Sequence, residues 1–292
     1  MTESVSQADA STRVPTRVGV ILGDLGSLNE TALKFLIVHL NTLQRVFEFE
    51  LLAGDDDDPL LRLLQERDKV DRQRCRAMLP DFHARLVVQI KKEQEEYDLT
   101  DKSIPEGFIL ITMARFSDEH YGLKSDNVQV QALGNWKRNM APPSIFEFII
   151  SLLLRQSASF ATLAVSKSVH LGTKGCLFDF TADLGDARYK ALQAYICSVC
   201  RERLGTAPGA NIADEIVRVL DMNWLGKLED PHSPAGIVAK LGYDLFLTQG
   251  LKPTWGETIR ATLRDDGTKE VVKLIGGILL AAILIWLGLK KP

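Results

Sequence analysis

Gly107-Phe-Ile-Leu-Ile-Thr112 is the most continuous buried strand that the sequence predicts, and the fold is built outward from it. A short apolar run with polar flanks is typical of a strand that is covered on both faces of a sheet. Val128–Leu133 follows with the alternation Val-Gln-Val-Gln-Ala-Leu and predicts a neighbouring strand. The middle of the chain therefore predicts a sheet.

The residues before this sheet centre predict two more strands and the helix between them. Arg17–Leu22 and Phe47–Leu52 have the composition of strands, and Asn29 or Ser27 can cap a helix between them. The apolar positions of that helix are spaced for one face: Leu33, Leu36, Ile37 and Leu40. A short helix at Leu60–Leu64 follows the aspartates Asp55–Asp58, which lack the spacing of a calcium loop and predict a solvated turn.

A long apolar helix is predicted after the two sheet-centre strands. Ser144 and Glu147 have the spacing of a capping box, and apolar residues then recur towards Phe160. Residues 66–103 are charged and compatible with helix, with Leu86–Ile90 as a candidate strand. The order of elements predicts a mixed α/β domain.

Composition excludes some classes of protein. The chain has 292 residues and a net charge of -3, so it has no general basic field and nucleic acid is not an expected partner. Four cysteines are too few for a disulfide scaffold at this length. The polar, Ser/Ala/Thr-rich first residues lack the apolar region of a signal peptide, so we expect the body to stay in the cytoplasm.

The C-terminal segment predicts a single membrane anchor. No charged side chain occurs from Leu274 to Leu289, Trp286 lies near one end, and Lys290 and Lys291 close the segment. Counted from Val271, with the Lys273 side chain extending to the headgroups, the run would rise about 28 Å as a helix, close to the hydrocarbon thickness of about 30 Å. A helix buried in the protein core is the alternative.

His170, Cys176, Cys197 and Cys200 form the most specific chemical pattern of the chain. Two cysteines separated by two residues can place both thiolates on one tetrahedral ion, and a third thiolate with an imidazole completes a structural zinc set. Zinc would then fasten the loop at 170–176 to the helical segment 189–204. Buried, inert cysteines and a redox pair at Cys197 and Cys200 are the alternatives.

Residues 105 to 203 resemble the archaemetzincin branch of the zincin metalloproteases. The resemblance rests on the strand Ile109–Thr112, a loop at Gly122, the strand at 128–133, a long helix, and a cysteine cluster that ends in Cys197-Ser-Val-Cys200. It implies a zincin-like fold with a structural zinc in the cysteine cluster. In that family a His-Glu-x-x-His motif on the long helix holds a catalytic zinc.

The catalytic half of the family motif is missing. The matching helix reads Phe146-Glu147-Phe-Ile-Ile150, and the five histidines of the chain contain no pair four residues apart. Phe and Ile cannot coordinate zinc, so we interpret Glu147 as a capping residue and expect no catalytic residues. The chain is then a pseudoenzyme rather than a protease.

These patterns predict four regions: a disordered leader (1–15), a zincin-like domain with a zinc site (16–204), a helical connector (205–270) and a transmembrane anchor (271–290).

The favoured hypothesis is a membrane-anchored, non-catalytic binding or signalling module. Its expected partners are the lipid bilayer and a protein or a second copy, since Gly277 and Ala281 permit close packing of anchors. A self-associating membrane effector of bacterial defence would fit this description. The alternative is a tail-anchored zinc hydrolase with an atypical site.

Overall fold

The computed structural model of the protein describes residues 14–66, 69–125, 127–162, 170, 175–205 and 211–265. The segment 271–290, for which the sequence predicts a membrane anchor, lies outside these residues, as does the leader up to residue 13. Among the helices that the structure describes, none combines the length and the apolar character needed to cross a bilayer.

The described part of the chain is a mixed α/β fold around one sheet of five strands. The strands lie in the order β2-β1-β3-β5-β4. The neighbours β2, β1, β3 and β5 are parallel, and β4 runs antiparallel to β5 at one edge. The strands are β1 (Thr16–Leu22), β2 (Phe47–Leu52), β3 (Gly107–Thr112), β4 (Gly122–Ser125) and β5 (Val128–Ala132). The predicted mixed α/β class is therefore confirmed.

Helices connect and cover these strands. Those before the sheet centre are α1 (Glu30–Leu43), α2 (Pro59–Leu64) and α3 (Arg72–Glu96). Those after it are α4 (Ile145–Ala161), α5 (Leu184–Gln193), α6 (Ser198–Gly205), α7 (Ile212–Leu220), α8 (Pro234–Lys240) and α9 (Trp255–Asp265). Two short 3-10 helices lie at Arg138–Met140 and Asn223–Leu225.

The sheet separates two buried cores. Val18 and Ile109 point to the core that contains α1 and α4, whereas Ile21 and Leu110 point to the core that contains α2 and α3. Successive strand residues face opposite sides, so a continuous apolar strand such as β3 supplies both cores. The helix α4 lies very close to β3, since a Cβ on Gly107 would lie 2.4 Å from the Phe160 ring.

Two local predictions were wrong. Leu86–Ile90 is not a strand but part of α3, because Leu79, Phe82, Leu86 and Ile90 are buried at helical spacing against the sheet while Val88 is exposed. The loop predicted at Gly122 is the edge strand β4, whose four residues are too few to show a clear alternation. Tertiary pairing with β5 decides the conformation there.

The segment predicted as a connector packs onto the body. Ile212, Ile216 and Val219 of α7 and Val238 of α8 belong to the same buried cluster as α4. The ring of Tyr243 packs against Phe146 of α4 in a tilted arrangement, with 4.3 Å between the ring centroids. These residues cover the side of α4 that faces away from the sheet, so α4 is buried almost all round.

Candidate metal centre and the cleft beside it

The structure brings together the four residues that the sequence predicts as zinc ligands. One ligand atom from each of His170, Cys176, Cys197 and Cys200 lies within 4.8 Å of the other three. All three cysteines are buried, and the His170 side chain is 9% exposed. The group could therefore hold one metal ion inside the protein.

Backbone hydrogen bonds hold the contributing segments together. The Phe180 N–H donates to the His170 carbonyl at 3.0 Å, and the Leu177 N–H donates to the Tyr195 carbonyl at 2.7 Å. Cys197 immediately precedes α6 and Cys200 lies in its first turn. The two cysteines of the Cys-x-x-Cys pair thus meet the loop that carries Cys176.

The predicted helical segment at 189–204 consists of two helices. The helix α5 ends at Gln193, and Ala194 adopts a left-handed conformation with φ of 46°. The chain then turns through Tyr195 and Ile196 before α6 begins at Ser198. This break allows the Cys197 N–H to point at the Cys176 sulfur, 3.4 Å away.

The His170 imidazole presents its Nε2 atom to the thiols. Nε2 lies 3.2 Å from the Cys200 Sγ and 3.6 Å from the Cys197 Sγ. The other ring nitrogen, Nδ1, lies 3.0 Å from the Asp179 carboxylate. With Nδ1 donating to this acceptor, Nε2 keeps a lone pair directed at the sulfur atoms.

Asp179 is a functional residue that the sequence analysis missed. Its carboxylate is 1% exposed, accepts a hydrogen bond from the Cys176 N–H at 3.2 Å, and pairs with Lys190 of α5 at 3.2 Å. A carboxylate that holds the second nitrogen of a ligating histidine is a common feature of zinc sites. Its nine-residue distance from His170 in sequence follows no ligand-spacing rule, so no sequence signal marks it.

The thiols influence one another's protonation. The hydrogen bond from the Cys200 thiol lowers the pKa of Cys176 to about 5 against the opposing effect of burial, and the Cys197 N–H adds to this. The same hydrogen bond, together with burial, raises the pKa of Cys200. Of these two thiols, Cys176 is therefore the one that carries negative charge more readily, as expected where an N–H points at a sulfur.

The donor set fits zinc. Three sulfurs and one imidazole nitrogen are a recognised set for structural zinc, and the edges of a zinc tetrahedron are about 3.8 Å for bonds of about 2.3 Å. The four donor atoms already lie at comparable separations, within 4.8 Å of one another. The residues present would hold the ion without a water ligand, and the ion would join the 170–180 segment to α6.

A cleft of about 500 Å³ opens beside this centre, around the free edge of β4. The segment that follows Cys176 contributes Phe178, Phe180 and Thr181 to its wall. Four basic side chains also line it: Arg72 and Arg76 from α3, Lys124 from β4 and Arg155 from α4. The loop that carries the metal donors is thus continuous with the wall of a basic cleft.

The residues matched to the zincin motif do not form a site. Phe146 and Ile150 are fully buried in the core. The Glu147 carboxylate accepts from the Ser144 N–H at 2.7 Å, and the Ser144 hydroxyl accepts from the Glu147 N–H at 3.3 Å. Glu147 is therefore a capping residue, as the sequence predicts.

Comparison of the chain with protein-family models, with curated proteins and with solved structures finds no match. Its function is therefore inferred from the side chains of the metal centre and the cleft.

Proposed function

We propose that this protein is a membrane-anchored, non-catalytic, zincin-like binding module whose fold depends on one structural zinc ion. The convergence of His170, Cys176, Cys197 and Cys200 carries the proposal. A structural zinc site uses four protein ligands, whereas a catalytic zinc keeps one position for water or substrate. A closed set of buried donors supports the structural role.

The composition of the cleft supports a binding function rather than hydrolysis. Where α4 reaches the cleft it presents Arg155, Gln156 and Ser159, and these side chains do not supply the two imidazoles of a zinc hydrolase. His120 is the one imidazole among the described residues that line the cleft. Such a cleft can recognise a ligand but lacks the ligand set for a catalytic zinc.

The order of elements supports the zincin-like part of the proposal. The strand β3, the strand β5, the long helix α4 and the cysteine cluster follow one another in the order on which the resemblance to archaemetzincins rests, while β4 takes the place of the loop expected at Gly122. The departure from that family lies in α4, where Phe146 and Ile150 pack in the core. On this resemblance, the protein would be a scaffold that keeps a structural metal and has lost the catalytic one.

The surface of α9 supports a location at the membrane. Its apolar residues Trp255, Ile259 and Leu263 recur every four residues and are 82%, 36% and 40% exposed. Two of its charged residues are paired with the body: Glu257 with Arg138, and Arg264 with Asp244. An amphipathic helix that turns its apolar stripe to the outside needs another apolar partner.

The sequence position of this stripe favours the bilayer as that partner. Five residues separate α9 from the segment predicted as the anchor at 271–290. Five residues span at most about 18 Å when fully extended, so α9 would lie near the headgroups if that segment spans the membrane. Gly277 and Ala281 remain the proposed contact between anchors if copies associate.

Metal analysis of the full-length protein tests the proposal against a tail-anchored zinc hydrolase. We expect one zinc per chain in the purified protein and none in the Cys197→Ser/Cys200→Ser double variant, with a melting temperature lower by about 10 °C because bound metal stabilises the folded state. Cys75→Ser is the matched control, because Cys75 is also buried but lies in α3. Zinc that persists in the double variant would reveal a second site and favour the hydrolase.

A further inference from the structure

The cleft beside the metal centre is strongly asymmetric in charge. Its four basic side chains come from three different elements, and no aspartate or glutamate is among the described residues that line it. The whole chain has a net charge of -3, so this local excess of positive charge is opposite in sign to the protein. A concave site lined by one sign of charge concentrates ligands of the other sign.

The basic residues differ in how far neighbouring carboxylates neutralise them. Arg72 pairs with Asp118 at 2.6 Å, and the same carboxylate lies 3.3 Å from the His120 ring. Arg76 is exposed on α3, one helical turn after Arg72, which places it on the same side of the helix. Arg76 is therefore the lining residue from α3 that is best placed to meet an incoming anion.

Arg155 is held in the cleft by neutral groups. Its guanidinium donates to the Tyr121 hydroxyl at 2.6 Å, to the Thr181 hydroxyl at 3.3 Å and to the Asp179 carbonyl at 2.9 Å. These acceptors fix the side chain without cancelling its charge. A positioned, partly buried guanidinium of this kind is suited to phosphate, which it can meet with its remaining N–H groups.

The rim of the cleft offers an aromatic surface. Phe180 lines the cleft and is 55% exposed, whereas its neighbour Phe178 is buried at 5%. An exposed phenyl ring beside several cations can stack on an aromatic base while the cations meet its phosphates. The volume of about 500 Å³ lies in the range of small-molecule sites.

We propose that this cleft binds a small phosphorylated compound with an aromatic ring, of the nucleotide class. The phosphates would lie against Arg76, Lys124 and Arg155, and the ring would lie against Phe180. This inference rests on the proposed function, because it names the ligand class of that binding module. Since the segment carrying Asp179 and Phe180 also carries the metal donors, the metal centre would keep the cleft wall in place.

Calorimetric titration of the full-length protein in detergent tests the proposal, with ADP, pyrophosphate and adenosine as probes in magnesium-free buffer. We expect ADP and pyrophosphate to bind one site per chain and adenosine to bind at least about tenfold more weakly. Added sodium chloride should weaken ADP binding, because the attraction is between charges. Failure of both phosphorylated probes to bind at millimolar concentration would overturn the proposal.

Variants separate the two parts of the site. Arg76→Gln should weaken ADP and pyrophosphate by about tenfold. Arg74→Gln, an exposed arginine on the same helix that does not line the cleft, should leave both unchanged. Phe180→Ala should weaken ADP by about fivefold or more and leave pyrophosphate unchanged, because only the ring contact is lost. Equal losses for Arg74→Gln and Arg76→Gln would contradict a specific site.

Two further measurements distinguish this inference from the proposed function. Zinc content is measured on every variant, and it should remain at one per chain in Arg76→Gln and Phe180→Ala. Intact zinc without ADP binding would defeat the nucleotide inference alone, whereas absent zinc would defeat the proposed function. Binding of an acidic peptide in place of ADP would also overturn the inference, since the cleft would then recognise a polypeptide.

Discussion

Asp179 shows how a single buried side chain organises the metal centre. Burying a carboxylate is costly unless it is paired and hydrogen-bonded, and Asp179 satisfies this condition through His170, Lys190 and the Cys176 N–H. Its contacts fix the imidazole in the orientation that directs Nε2 at Cys200. The carboxylate would therefore act on a bound ion through the histidine rather than by binding it.

Asp179→Asn should weaken zinc binding by about tenfold to a hundredfold, because the imidazole loses the acceptor that orients it and raises its basicity. Competition with a zinc-binding dye measures the affinity. Asp186→Asn is the control, since Asp186 is exposed on α5. Far-UV circular dichroism of the zinc-loaded variant shows whether the fold is kept. An affinity for zinc equal to that of the unchanged protein would show that Asp179 does not support zinc binding.

The clustering of the four candidate ligands was predictable from sequence, whereas the residues that support the cluster were not. The spacing of Cys197 and Cys200 restricts two sulfurs to one turn, and this geometry is local. The approach of His170 and Cys176 was inferred from residue type and is confirmed as a cluster. Asp179 and Lys190 join it through tertiary contacts between a loop and α5, which no local pattern records.

At the scale of elements, α4 illustrates how a local cap fixes a buried helix. Ser144 and Glu147 satisfy each other's backbone N–H groups at its first turn. These N–H groups have no partner within the helix, so the cap replaces the hydrogen bonds to water that burial removes. Glu147, which matches the general base of the zincin motif, therefore caps the helix instead.

Two substitutions at Glu147 test whether this residue acts as a helix cap or through its negative charge. Glu147→Gln should change the free energy of unfolding by less than about 0.5 kcal/mol, because glutamine can also complete a capping box. Glu147→Ala should cost about 1 kcal/mol, because the Ser144 N–H loses its acceptor. Urea unfolding of both variants measures the difference. Equal destabilisation by both substitutions would show that the negative charge, rather than the cap, is what matters.

The predictions succeeded where the sequence pattern is clear and failed where it is short or ambiguous. The apolar run of β3, the alternation of β5 and the cap of α4 are clear patterns, and all three are confirmed. Leu86–Ile90 is rich in strand-forming residues, yet its helical burial pattern prevails because α3 packs along the sheet. The strand β4 exists through its pairing with β5.

At the scale of the whole molecule, α9 connects the body to the segment predicted as an anchor. Burial alone would raise the pKa of Glu257, but hydrogen bonds from the Arg138 side chain and from the Thr254 and Gln249 N–H groups lower it. The carboxylate therefore stays charged at neutral pH and holds α9 against the body. The apolar stripe at Trp255, Ile259 and Leu263 is exposed on the same helix.

Removing residues 271–292 should release the protein from membranes. We expect the full chain to stay in the membrane pellet after carbonate extraction and the shortened chain to appear in the supernatant, because an apolar helix of that length is retained by the bilayer. Ile259→Asp with Leu263→Asp in the full chain is the matched control, and it should remain in the pellet. An unchanged distribution of the shortened chain would refute the anchor.

X-ray absorption at the zinc edge of the purified full-length protein tests the central claim most directly. The account predicts three sulfur atoms at about 2.3 Å and one nitrogen at about 2.0 Å, with no room for a water ligand. A shell dominated by nitrogen and oxygen, or a protein purified without zinc, would contradict it.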